Sequence, residues 1–116
     1  PKKVERYIVK SRFEKELTTA FKHLEQSIRK LALKLDIDAT NDISAKYILD
    51  DLNYDDSISN EIYYELIGIW SIRDGLIEGD LETIRREDAP NELAEILSVV
   101  ENNTRVINKL FLSSRR

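Results

Sequence analysis

The chain has 116 residues, of which 34% are charged and 41% hydrophobic, the size and composition of one globular domain with a strongly solvated surface. Its three glycines and two prolines are too few for the many tight turns of sandwiches and barrels. The absence of cysteine and the single histidine exclude disulfide scaffolds, thiolate metal sites, cysteine nucleophiles and multi-histidine metal sites within one chain. A net charge of −4 disfavours binding of nucleic acid by bulk electrostatics.

Two helices are predicted in the first half of the chain. Hydrophobic residues recur there at steps of three and four: Phe13, Leu17, Ala20, Phe21, Leu24, Ile28, Leu31, Ala32 and Leu35. This period predicts an amphipathic helix that begins between residues 4 and 11 and ends before the poor helix formers of residues 36–42. Ser44 suits the N-cap of a second, short helix, which the polar run at residues 53–57 ends.

Two longer helices are predicted after it. The third runs from about Ile58 to Ile77 and carries two adjacent apolar stripes, a width that predicts burial between neighbouring helices. A polar connection follows at residues 80–89, and the fourth helix opens near Pro90 and continues to about Phe111.

No segment alternates convincingly between polar and apolar residues. The predicted fold is therefore an all-α compact bundle of three long helices and one short helix. It forms a single domain over residues 1–116, with its core at about 12–112.

Charge is strongly segregated along the chain. Residues 1–35 carry ten Lys and Arg against four Glu, a net +6. Residues 36–61 carry eight Asp and Glu against Lys46, a net −7, and residues 62–116 carry a net −3. One interpretation is that the basic helix and the acidic segment neutralise each other within the molecule. The alternative is that the basic helix faces a phosphate backbone or an acidic partner.

The sequence indicates neither a metal nor a cofactor site. A calcium-binding loop starting at Asp36 would place Asn41 at the required glycine and Tyr47 at the closing glutamate. His23 lies one step off the apolar stripe of the first helix, which predicts a partly exposed surface histidine, with a catalytic base as the alternative. No apolar stretch is long enough for a membrane span and no secretory-signal core is visible, so a cytoplasmic location is expected.

The most informative stretch is residues 66–79, around Arg73. Arg73 falls on the inner stripe of the third helix, where an unpaired charge is costly. Asp74 adjoins it in sequence but lies about 100° away around the helix. Glu78 follows five residues later, near the helix end. The residues therefore favour either an Arg73–Glu78 pair that locks the helix end or a polar site in a cleft.

This stretch resembles the signature of the HEPN superfamily, an all-α group that includes toxin ribonucleases, CRISPR-associated nucleases and many non-catalytic relatives. Arg73, Asp74 and Gly79 match its motif in place and spacing, while Glu78 stands where the motif has histidine. The order of the helices over about residues 12–110 also agrees. In active members, the arginine and histidine of two subunits meet at a dimer interface and cleave RNA without a metal ion.

The resemblance, with its missing histidine, implies a catalytically degenerate HEPN-like domain, as found in bacterial defence or toxin–antitoxin systems. Such a domain acts by forming a homodimer and by binding a partner protein, a nucleotide or RNA. The expected interface residues are Arg73, Asp74, Glu78, Trp70 and Tyr63.

Two alternatives remain open. The first is an active, metal-independent endoribonuclease in which Arg73 holds the phosphate and Glu78 or His23 moves protons. In water a glutamate titrates near pH 4.3, so Glu78 would serve only with a strongly raised pKa. The second is a plain helical protein–protein adaptor in which the motif match is accidental.

Overall fold

The structure, a computed structural model, describes residues 2–77 and 89–114, with side chains for residues 15–75 and 94–114. It contains four α-helices: α1 (Lys2–Lys34), α2 (Ala45–Tyr54), α3 (Asn60–Ile77) and α4 (Ala89–Ser113). No strand occurs in the described ranges, and the predicted all-α bundle of three long helices and one short helix is confirmed.

Contacts between side chains fix the directions of the helices. Lys34, the last residue of α1, donates from Nζ to the carbonyl oxygen of Phe111 near the end of α4, so α1 and α4 run parallel. Asn103 of α4 donates from Nδ2 to Oε1 of Glu65 in the first half of α3, at 3.3 Å. Farther along α3, Ile72 shares a groove with residues 95–99 of α4, so these two helices are antiparallel. The bundle is an elongated body of 55 × 24 × 23 Å, whose long axis matches the roughly 50 Å length of α1.

The hydrophobic core lies between α1 and α4 and continues under α2 and α3. α1 packs most extensively against α4, while α2 contacts both α1 and α3. α3 reaches α1 through large side chains, as the edge-to-face contact of Phe21 and Trp70 shows, with ring centroids 6.2 Å apart. The largest apolar side chains that are shielded from water are Leu24, Ile28, Leu31, Ile48, Leu49, Leu52, Leu66, Val100 and Ile107.

The two apolar stripes predicted for α3 face the core over the described residues. Leu66, Ile69 and Trp70 are buried, and the remaining stripe residues are partly buried and pack against the core: Ile62, Tyr63 and Ile67. This agrees with the expectation that α3 lies between neighbouring helices. Tyr64 and Ile72 lie outside the stripes and are 70% and 42% exposed.

α1 and α2 are each followed, two residues after their last helical residue, by an aspartate in the left-handed conformation. Asp36 has a φ of 61°, and Asp56 has a φ of 55°. In each case the residue that follows the aspartate bonds back to the helix: Ile37 N donates to Ala32 O, and Ser57 N donates to Leu52 O, both at 2.9 Å. This is the Schellman end, whose left-handed position normally holds glycine.

We expect Asp56→Gly to stabilise the fold by about 0.5–1 kcal/mol, because glycine adopts a positive φ without the steric cost of a Cβ atom. Urea denaturation followed by circular dichroism measures the change. Asp56→Asn is the matched control, because it removes the same charge while keeping a Cβ. A gain as large for asparagine as for glycine would assign the effect to charge and contradict relief of the backbone.

Candidate functional site

Arg73 lies one turn before the end of α3, with its guanidinium over the face of Trp70. The distance from Cζ to the ring centroid is 5.6 Å, within the range of a cation–π interaction. Trp70 is only 3% exposed and its ring packs edge to face against Phe21, so the ring that the guanidinium contacts is fixed in the core. The Arg73 side chain itself is 32% exposed, which places its charge at the molecular surface rather than within the core.

Asp74 connects Arg73 to α2. One carboxylate oxygen lies 3.5 Å from Nη1 of Arg73, and the other lies 3.4 Å from Nζ of Lys46. Adjacent helical positions diverge by about 100°, but the long arginine side chain spans the separation. Partly exposed pairs contribute little to stability. The chain of charges Lys46–Asp74–Arg73 therefore serves mainly to orient the guanidinium.

A shallow apolar groove lies between α3 and α4, and Arg73 does not line it. It has a volume of about 310 Å³ and is lined by Ile69, Ile72, Glu95, Ile96 and Val99. Ile72 stands at its edge with 42% of its surface exposed. We call Ile72, Arg73 and this groove the α3 surface. It combines the Arg73 cation with one exposed aliphatic side chain, that of Ile72.

Tyr63 lies ten residues before Arg73, about 15 Å away along the helix axis. Its hydroxyl donates a hydrogen bond to Oδ1 of Asp50 on α2, and this bond raises the pKa of the Tyr63 phenol above its usual value. Its ring meets Tyr64 edge to face, with centroids 5.3 Å apart. The structure thus places Tyr63 at the contact between α2 and α3, away from Arg73.

His23 is exposed on α1 and lines a different cavity. This cavity, of about 570 Å³, lies between α1 and α4, and its polar walls include Thr19, Glu101 and Arg105. Arg73 does not line it. Glu78, the other candidate for proton transfer, lies outside the described residues. Among the described side chains, His23 and Arg73 therefore do not share a cavity.

Sequence reasoning missed Lys46 and Ile72. Lys46 is the single cation of residues 36–61, and its isolation among eight acidic residues was the available signal that it has a specific partner. The exposure of Ile72 could not be predicted, because the sequence does not distinguish an isoleucine beside two buried stripes from one within them.

Within the described residues, no group of three or more His, Asp or Glu side chains is placed to hold a metal ion. None of the described helices is both long and apolar enough to cross a membrane. No family model, curated protein or solved structure matches the chain.

Proposed function

We propose that this chain is a non-catalytic, HEPN-like association domain that forms a homodimer through the α3 surface. The proposal rests on two neighbouring residues of α3. Ile72 is exposed, and Arg73 is in contact with Trp70 and Asp74. In protein interfaces, arginine is among the residues that contribute most binding energy, and the fully buried centre of the contact is apolar.

Orientation of Arg73 before binding lowers the cost of association. A free arginine loses considerable side-chain entropy when an interface immobilises it. Here the ring of Trp70 and the carboxylate of Asp74 already restrict the guanidinium. Its remaining N–H groups are then available to a carboxylate or phosphate of a partner.

The exposed side of α3 also permits close approach. Gly68 and Gly75 lie on this helix, and a Cβ atom added at either position would meet nothing within 4 Å. Ser71, between them, is exposed and bonds back to the carbonyl oxygen of Ile67 at 3.2 Å. Such small residues leave the backbone of α3 accessible to a second helix on the side next to Ile72, about 140° or more around the helix from Arg73. A two-fold pairing would bring the same surface from each copy together.

The missing motif histidine supports the non-catalytic form of the proposal over an endoribonuclease. Glu78 replaces the motif histidine, and His23 lies in the cavity between α1 and α4. RNA cleavage of this kind needs a group that exchanges protons near neutral pH within reach of the phosphate.

Sedimentation velocity across micromolar concentrations tests the dimer. We expect Ile72→Lys to weaken self-association at least tenfold, because it places a charge in the apolar centre of the contact. Arg73→Ala should weaken it as well. The matched control is Leu33→Lys, which introduces the same charge at another exposed aliphatic residue, 57% exposed on α1. A wild-type chain that stays monomeric, or equal effects of Ile72→Lys and Leu33→Lys, would overturn the proposal.

A further inference from the structure

The outward face of α2 carries two large aromatic side chains that no other helix covers in the described structure. Tyr47 is 68% exposed and Tyr54 is 92% exposed. They lie seven residues apart with the exposed Asp51 between them, so all three share one side of the helix. Exposed apolar patches rimmed by polar residues are a feature of protein interaction sites.

A cavity adjoins this face, between the end of α1, the following loop and α2. Its volume is about 420 Å³. Leu35 and Ile37, both half-buried, supply its apolar part, and the ring of Tyr54 forms another wall. The remaining lining residues are all aspartates: Asp36, Asp38, Asp51 and Asp55. We call this cavity together with Tyr47 and Tyr54 the α2 face.

The negative charge here is not neutralised by the described part of the molecule. None of the four aspartates of the cavity lies within ion-pair distance of a cation in the described residues. The nearby cations are engaged elsewhere. Lys46 pairs with Asp74 at 3.4 Å, and Arg29 donates to the carbonyl oxygen of Thr40 at 2.8 Å. The expectation that α1 and the acidic segment partly neutralise each other holds at Asp42, whose pKa is lowered by the hydrogen bond from Thr40 and, to a smaller extent, by the charge of Arg29.

We propose that the α2 face binds an arginine-rich segment of a partner protein. The chemistry of the cavity selects this occupant. An arginine side chain has an apolar stem that fits Leu35 and Ile37, and a planar cation that stacks on a tyrosine while pairing with carboxylates. A lysine ammonium is more strongly hydrated and stacks less well, so the face should prefer arginine. This surface is separate from the α3 surface, and the inference does not depend on dimerisation.

Fluorescence anisotropy with two labelled peptides of equal length and charge, (Arg-Gly-Ser)₄ and (Lys-Gly-Ser)₄, tests the proposal. We expect the arginine peptide to bind more tightly, with an affinity that falls as salt rises. Asp51→Asn combined with Asp55→Asn should weaken binding at least tenfold, since both carboxylates line the cavity. Tyr54→Ser should weaken it severalfold through loss of stacking, with the net charge unchanged.

The matched control is Glu61→Gln combined with Glu101→Gln, which removes two charges at exposed positions outside the cavity. Circular dichroism confirms that each variant is folded. Three results would overturn the proposal: equal weakening by the control pair, equal affinity for the two peptides, or no effect of Tyr54→Ser. Each would show that general charge attraction accounts for the binding. The proposal would also be overturned if the wild-type chain self-associated in a salt-sensitive way and the Asp51→Asn, Asp55→Asn variant did not. The α2 face would then bind a second copy of this chain.

Discussion

Replacing Trp70 with alanine should lower the free energy of unfolding by about 3–5 kcal/mol, the range measured when a large buried aromatic is removed from a packed core. Trp70 is 3% exposed and meets Phe21 edge to face. The lost contacts and the remaining cavity both contribute to the cost. Small domains are typically stable by about 5–15 kcal/mol, so this one substitution would consume much of the total.

Urea denaturation followed by circular dichroism measures the loss without relying on tryptophan fluorescence. Tyr64→Ala is the matched control, because it removes an aromatic from the same helix where the side chain is 70% exposed. We expect it to change stability by less than about 0.5 kcal/mol. A comparable loss from both variants would contradict the placement of Trp70 in the core and Tyr64 outside it. Protein concentration is kept fixed throughout, because self-association would raise the apparent stability.

Trp70→Phe separates the two roles that the structure gives this residue. Phenylalanine retains an aromatic ring against Phe21, so part of the stability should return. Its smaller ring offers a weaker cation–π surface to Arg73. A folded Trp70→Phe variant with weakened self-association would link the orientation of Arg73 to the proposed dimer.

The helices were predictable because their apolar spacing is regular. Eight of the nine periodic residues of the first helix have described side chains, and seven of these are buried. The boundaries were less predictable. α1 begins at Lys2, before the predicted range, because no glycine or proline interrupts its first turns. α3 begins at Asn60, two residues later than predicted, because Ser59 Oγ accepts a hydrogen bond from the Ile62 N–H at 3.2 Å and acts as its N-cap.

The candidate site was less predictable than the helices. The sequence singled out Arg73, Asp74 and Trp70, which the structure brings together. It could not show that Lys46 joins them, since this contact between α2 and α3 depends on how the two helices pack. Placing Arg73 on an inner stripe was also incomplete, because a long side chain can start at the edge of a core and carry its charge to the surface.

Removing the Arg29 side chain should have the next largest effect, about 1.5–3 kcal/mol, the usual contribution of hydrogen bonds that involve a charged group. Arg29 is 15% exposed, and its Nη1 donates to the carbonyl oxygens of Thr40 at 2.8 Å and Ala39 at 3.3 Å. It thereby ties the loop after α1 back onto that helix. In Arg29→Ala the part-buried carbonyl oxygen of Ala39 would lose its hydrogen bond from Arg29. A buried acceptor without a donor accounts for most of the expected loss of stability.

Glu25→Ala is the control that distinguishes this tie from the ion pair on the same helix. Glu25 and Arg29 are four residues apart, with 3.5 Å between Oε1 and Nη2, and such pairs contribute only about 0.3–0.5 kcal/mol. We therefore expect Glu25→Ala to cost far less than Arg29→Ala in urea denaturation. Equal losses would mean that the ion pair, and not the bonds to the loop, accounts for the effect of Arg29.

The loop that Arg29 holds also carries Asp36 and Asp38, two of the carboxylates that line the cavity of the α2 face. Loosening it should raise amide hydrogen exchange over residues 37–43 and lower affinity for the arginine peptide, although Arg29 does not line the cavity. Removing a cation from an acidic surface would, by charge alone, strengthen binding of a basic peptide. A weaker interaction in Arg29→Ala would therefore separate the geometry of the cavity from its charge, and a stronger one would show that charge alone governs binding.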